Sequence, residues 1–79
     1  MRKDIPNLGA LQAFEASARL GSFTRAATEL ALTQSAVGRQ VAMLEQRLGV
    51  PLFSRVRKRL TLTDVGREYA PRIRRHLDQ

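Results

Sequence analysis

Apolar positions recur along the chain in blocks at helical spacing, interrupted once by a block that alternates. In LGALQAFEASARL, Leu8, Leu11, Phe14 and Ala18 step by three, three and four residues, the interval that lines one face of an α-helix. Asn7 ahead of it can accept a free amide at the helix start. Gly21 behind it suits a left-handed C-cap, so a helix is predicted over 8–20. Ser22 offers a second N-cap, and FTRAATEL forms a short helix with Phe23, Ala26, Ala27 and Leu30 apolar. Ala31-Leu32 makes a brief turn, Thr33 caps a third helix, and Gly49 ends it. The inner face of that helix carries Val37, Val41, Leu44 and Leu48, at steps of four, three and four.

The opposite face of the third helix carries Ser35, Gly38, Arg39, Ala42 and Gln46, small or polar, with one cation among them. A helix that needed only solubility would carry more charge there. Two helices joined by a short turn, the second the longer, form a helix-turn-helix pattern. Ala27 is small where the helices cross, and Leu32 is an apolar residue placed to plug the gap between them. The pattern alone fits both a DNA-reading motif and a plain helical hairpin in a small bundle.

VPLFSRVRKRLTLT breaks the helical period. Leu60-Thr61-Leu62-Thr63 alternates like a strand, and Pro51 is tolerated at the start of an edge piece over Leu52-Phe53-Ser54. Between the two pieces lie Arg55, Val56, Arg57, Lys58 and Arg59, which makes a short β-hairpin with a strongly cationic tip, a wing on the helix-turn-helix. Thr63 caps a fourth helix with Asp64 in its first turn, where a negative charge suits the helix dipole. Gly66, Ala70, Ile73 and Leu77 lie along one of its faces, and Pro71, lacking an amide hydrogen, should kink or split it. The fold class is therefore mainly α: a winged helix-turn-helix over 1–62, with a three-helix core and a short hairpin, followed by the start of a long helix over 63–79.

Charge changes the picture further. The net charge is +7, and it is uneven. Residues 1–38 hold four basic and three acidic side chains, while residues 39–79 hold ten basic and four acidic. A basic half on a small domain favours a polyanionic partner. Without cysteine there is no disulfide framework and no thiolate metal site, which fits a reducing, cytoplasmic setting. The first residues contain no uninterrupted apolar run of the signal-peptide kind, and nothing approaches a membrane span. Phe14, Phe23, Phe53 and Tyr69 are the aromatic residues. The three phenylalanines occupy core-like positions, which argues against a stacking platform for single-stranded RNA. The apolar stripe of the fourth helix is too thin for an anionic membrane surface. No carboxylate pair, nucleophile–base set or glycine-rich phosphate loop is present, so no enzyme activity, metal or cofactor is expected. His76 reads as a surface residue, Glu45 as a charge that pairs within the helix region or stabilises the neighbourhood of Arg47, and Glu15, Glu29 and Glu68 as solvated helix charges.

FTRAA, the spaced Leu30, TQSAV, Arg39-Gln40, the Leu44-Glu45 pair, Leu48-Gly49, PLF, Arg55 and the LT pair before Gly66, in this order and spacing, resemble the N-terminal domain of LysR-type transcriptional regulators. The resemblance covers the chain from Leu8 to about Leu77. It implies a dimeric, sequence-specific binder of double-stranded DNA on an inverted repeat, with a larger effector-binding domain following the fourth helix. Any small-molecule effector would act through that C-terminal domain, which lies outside these 79 residues. The resemblance places Thr33, Gln34, Ser35, Gly38 and Arg39 at bases and neighbouring phosphates, and Arg25, Arg55, Arg57, Lys58 and Arg59 on the DNA backbone. Dimerisation falls to the fourth helix through Gly66, Tyr69, Ala70, Ile73 and Leu77, although the same face can instead pack back on the first helix. Two positions depart from the family pattern. Gly38 stands where serine is common, which removes a hydroxyl and weakens the helix by about 1 kcal/mol relative to alanine. Gly38 is then either a means of closer backbone approach to DNA or simply tolerated. Lys58 stands where arginine is usual, a point charge in place of a fork.

Overall fold

Four side chains start the four helices. Asn7 Oδ1 accepts from Ala10 N at 2.7 Å, Ser22 Oγ from Arg25 N at 3.1 Å, Thr33 Oγ1 from Ala36 N at 3.0 Å and Thr63 Oγ1 from Gly66 N at 3.1 Å. Each satisfies an amide that the first turn of a helix leaves without a partner. The computed structural model, which describes residues 7–56 and 59–78, accordingly contains α1 (Leu8–Leu20), α2 (Phe23–Leu30), α3 (Gln34–Leu48), β1 (Phe53–Val56), β2 (Arg59–Leu62) and α4 (Asp64–Leu77). Gly21 and Gly49 close α1 and α3 in the left-handed region, at φ 66° and 76°.

Ala31 closes α2 in the same region at φ 58°, the only non-glycine residue with positive φ among those described. Leu32 N donates to Ala27 O at 2.9 Å and Ala31 N to Thr28 O at 3.3 Å, the paired bonds that end a helix on a left-handed residue. An alanine pays a Cβ clash there, so Ala31→Gly is expected to raise stability by about 1 kcal/mol. A thermal melt that fell on this substitution would show that the turn is held by something other than its backbone bonds.

Phe14 is the centre of the core. It is fully buried, 5.5 Å from the Phe53 ring and 5.6 Å from the Tyr69 ring, and Phe23 meets Phe53 edge-on at 5.7 Å. Ala10, Ala13, Ala16, Ala26 and Ala27 let α1 and α2 close on α3, whose Val37, Val41 and Leu44 complete the buried set with Leu52 and Ile73. The stripes read from the sequence fade at their ends. Leu8 and Leu48 extend past the packed region and are exposed, and Leu32 is 45% exposed, so it does not plug the gap between α2 and α3. Ala27, itself buried, allows a contact there that needs no plug.

The wing is a two-stranded antiparallel sheet in which Phe53 pairs with Leu62, Ser54 with Thr61, Arg55 with Leu60 and Val56 with Arg59. Both strands therefore reach further into the cationic segment than expected. Arg55 and Arg59 are strand residues, not tip residues. Arg57 and Lys58 lie outside the described residues.

α4 runs unbroken through Pro71, so the expected split does not occur. Pro71 is exposed, and inner residues before and after it, Ala70 and Ile73, pack on the core. The stripe assigned to dimerisation is taken up inside the chain. Gly66 and Ile73 are buried, and Tyr69, Ala70 and Leu77 pack on the core from the edge. Of the two destinations open to this face, the contact with α1 forms within the chain, where Tyr69 stands 5.6 Å from the Phe14 ring and Ile73 joins the same core. The boundary at 62/63 thus marks the end of the wing and not the end of the core.

A charge network laces the outside of this packing. Arg19 Nε donates to Glu15 at 2.9 Å, and the same guanidinium bonds Glu29 across to α2, while Arg74 of α4 lies 3.6 Å from Glu15. Hydrogen bonding to Arg19 holds the Glu29 carboxyl below the usual carboxylate range. Glu29 first, then Glu15, pushes Arg19 above its own ordinary value. Glu15 and Glu29 are therefore ion-pair partners that join three helices, not merely solvated charges.

Candidate nucleic-acid interface

Turning Val37, Val41 and Leu44 inward forces the other side of α3 outward. Thr33, Gln34, Ser35, Arg39 and Ala42 are exposed, with Gly38 half-buried among them. No atom outside its own helix turn lies within 4 Å of where a Gly38 Cβ would stand. The fold itself therefore has no use for a glycine at this place. Gly38→Ala should raise stability by about 1 kcal/mol through helix propensity alone, checked by thermal unfolding. A lower melting point would point to an internal contact that the structure does not show.

An open groove of about 670 Å³ lies beside the start of α3, lined by the N-cap Ser22, Phe23 and Thr24 from α2, Gln34 from α3, and Arg55, Arg59, Leu60 and Thr61 from the wing. It brings three of the residues singled out in the sequence, Gln34, Arg55 and Arg59, to one place. Arg55 is held there: its guanidinium carbon stands 5.1 Å from the centroid of the Phe23 ring, within the range of a cation–π contact. Arg25 on α2 and Arg39 on α3 are exposed but stand outside this groove, as do Thr33, Ser35 and Gly38. The arrangement is a small polar helix end flanked by guanidinium groups, with hydroxyls of Ser22, Thr24 and Thr61 nearby. It offers hydrogen-bond donors to an anion and a thin edge to a groove, and it contains no set of groups for bond making.

Phe23 and Glu45 are not legible as functional residues in the sequence. Phe23 reads as one more apolar position of α2, and its role as a shelf for Arg55 depends on how the hairpin folds back. Glu45 does not pair within its helix. Its Oε2 accepts from Leu52 N at 2.7 Å and Phe53 N at 3.1 Å. One signal is available: Glu45 follows buried Val41 by one turn, and a carboxylate on that flank needs a partner.

Among the described residues no three His, Cys, Asp or Glu side chains cluster in a way that holds a metal ion, and no helix is long and apolar enough to cross a membrane.

Residues 8–67 match the family described as bacterial regulatory helix-turn-helix protein, lysR family. The HTH-type transcriptional activator AmpR of Pseudomonas aeruginosa is 56% identical over 71 residues, which cover 90% of this chain and 24% of that protein. The chain thus spans about a quarter of the length of the curated relatives it matches. Among solved structures, the DNA-binding domain in a CbnR–DNA complex superposes with a TM-score of 0.81 at 35% identity, over 87% of this chain and 79% of that one. The BenM DNA-binding domain bound to benA site 1 DNA does so with a TM-score of 0.85 at 30% identity, over 91% and 81%. The match of the profile to most of the chain, on a winged helix-turn-helix of the same shape, shows that the chain belongs to the lysR family of bacterial regulatory helix-turn-helix proteins.

Proposed function

We propose that this chain is the duplex-reading domain of a cytoplasmic transcription regulator, that it recognises a specific operator, and that two copies act together on an inverted repeat. The observation that carries the reading is the groove that gathers Gln34, at the exposed start of α3, with Arg55 and Arg59 of the wing. Similarity to domains solved in complex with DNA supports the same assignment.

In this reading α3 enters the major groove with its first turn leading. The Gln34 amide both donates and accepts, which suits paired bonds to the N6 and N7 edge of adenine. Thr33 Oγ1 accepts from Ala36 N, so its hydroxyl hydrogen is what it offers to a phosphate, alongside Ser35 and the first amides of α3. Arg39, about one turn further on, reaches a phosphate or a guanine edge. Arg25 and Arg59 suit backbone phosphates, as do Arg57 and Lys58 at the wing. Arg55, held on Phe23, is placed for the phosphate beside the bases that Gln34 reads. Bulky lysines on the outer face of α3 would hold the helix away, which accounts for the small residues there.

For the dimer, two-fold symmetry would match the symmetry of an inverted repeat. Because the inner face of α4 is occupied, the contact falls to its outward face, where Val65 is 42% exposed and Glu68, Arg72 and Arg75 follow at helical spacing. Sedimentation with and without a palindromic duplex tests whether two chains load together.

Selection of bound duplexes from a random library tests the reading as a whole. An inverted repeat is the expected product, and recovery of no favoured sequence would remove it. With the selected duplex in hand, Gln34→Ala should lower the ratio of specific to random-duplex affinity by about tenfold, in line with the roughly 1–3 kcal/mol of a paired base contact. An unchanged ratio would exclude Gln34 as a base reader.

A further inference from the structure

The root of the wing is clamped from two sides. From α3, one carboxylate oxygen of Glu45 receives two consecutive amides, Leu52 N and Phe53 N. From the start of α4, Thr63 N donates to Leu52 O at 3.0 Å and Thr63 Oγ1 donates to Pro51 O at 2.8 Å. Leu52 itself is fully buried. Hydrogen bonds to an ionised acceptor are shorter and stronger than neutral ones, so the Glu45 contacts are the firmer of the two clamps.

A continuous path leads from this clamp to the interface. Phe53 is the first residue of β1 and meets both Phe14 and Phe23. Side chains two apart on a strand share a face, so Arg55 leaves β1 on the same side as Phe53. That side turns toward Phe23, and there the guanidinium rests, in the groove that also holds Gln34. The height of the hairpin against α3 thus decides where Arg55 stands relative to the residue proposed to read bases.

We infer that Glu45 is a positioning residue for DNA binding: by fixing Leu52 and Phe53 against α3 it sets the wing at the distance where Arg55 reaches the phosphate next to the bases read by Gln34. This role rests on the proposed duplex reading. Glu45 touches no DNA. Without its carboxylate the two amides turn to water, and the root is held by Thr63, the Leu52 side chain and the Phe53 ring, which fix no hydrogen bond to α3. The hairpin remains formed but is no longer registered to α3. A phosphate contact needs that register, while base discrimination by Gln34 does not.

The test measures binding of the selected duplex and of a random duplex of the same length, by fluorescence anisotropy over a series of salt concentrations. The proteins are wild type, Glu45→Ala, Glu45→Gln, Arg55→Ala and the double variant Glu45→Ala/Arg55→Ala, each kept well below its own melting temperature with its fold checked by circular dichroism. Glu45→Ala should weaken both duplexes by about tenfold and reduce the salt slope by about one, the signature of one missing phosphate contact. Glu45→Gln should stay within about twofold of wild type, because its amide oxygen can accept both N–H groups. In the Arg55→Ala background, Glu45→Ala should cost little more. A folded Glu45→Ala protein with wild-type affinity and slope would overturn the role. So would a loss that adds in full to that of Arg55→Ala, or a glutamine variant as weak as the alanine one. Should Glu45→Ala not fold, the glutamine variant decides: near-wild-type binding and slope with weaker protection of the Leu52 and Phe53 amides against exchange support the role, and loss of base discrimination overturns it. A wild-type chain that binds no duplex removes the DNA reading and this role together, whereas wild-type binding with an indifferent Glu45 removes this role alone.

Discussion

Gly66→Ala should lower the melting temperature of this domain by more than about 10 °C, the equivalent of roughly 3 kcal/mol for a chain of this size. A Cβ at Gly66 would lie 2.2 Å from Leu52 O and 2.8 Å from Leu62 Cδ2, and the nearer atom is backbone that cannot swing aside. Leu52 has little room to retreat. Its side chain is fully buried, its carbonyl receives Thr63 N, and its amide is held by Glu45. Relief therefore requires α4 to lift off the wing root, which pulls Tyr69 and Ile73 away from the Phe14 cluster as well. Overpacking alone costs about 1–3 kcal/mol, and the disrupted packing adds to it. A domain this short hides only roughly 60% of its unfolded surface and has a small reserve of stability. Gly38→Ala is the internal comparison, since the same substitution with open space around it is expected to stabilise. A Gly66→Ala protein that melts within a few degrees of wild type would show that α4 is not seated on Leu52.

The two glycines also mark what the sequence can and cannot say. Both read as small residues on a helix, one suited to close approach to DNA and one to a second copy. The close approach at Gly66 is real, but it is to the carbonyl of Leu52 within the same chain. Periodicity reports that a face is covered and not by what, so the stripe of α4 is visible in the sequence while the choice between α1 and a second copy is not. Caps behave differently. Asn7, Ser22, Thr33 and Thr63 act on amides three residues away, and such local chemistry is readable at all four helix starts. The strands of the wing differ from expectation by one to two residues, because their register is set by cross-strand pairs such as Val56 with Arg59, and their alternation is hidden by a run of cations. Glu45 and Phe23 lie at the far end of this scale. Their partners are seven or more residues away in other elements, and only the folded hairpin brings them together.

Raising monovalent salt from about 50 to about 200 mM should weaken duplex binding by about a hundredfold per domain. The magnitude follows from which cations are free to meet DNA. The net charge of +7 is a poor guide, because it sums the charges on every face of the molecule and does not say which cations stand near the start of α3. Arg19 is tied to Glu15 and Glu29, Arg74 stands at Glu15, and Arg67 is bonded to Asp64 and to the carbonyl of Leu62. Those ion pairs are far less open to a phosphate than an unpaired guanidinium. Arg55 and Arg59 are exposed in the groove beside Gln34, and Arg25 on α2 and Arg39 on α3 are exposed outside it. If each meets one phosphate, the slope of log affinity against log salt is about −0.9 times four, near −3.6, and a fourfold rise in salt then costs roughly 4 to the power 3.6. Phosphates met by Arg57 and Lys58 would steepen the slope, and neutralising both side chains should flatten it again by about one unit for each phosphate no longer met. Two domains on one inverted repeat would double the whole value. Titrations of the selected duplex over this salt range measure the slope directly. A slope near zero would mean that the guanidinium groups around Gln34 do not face DNA, and the groove would lose its assignment.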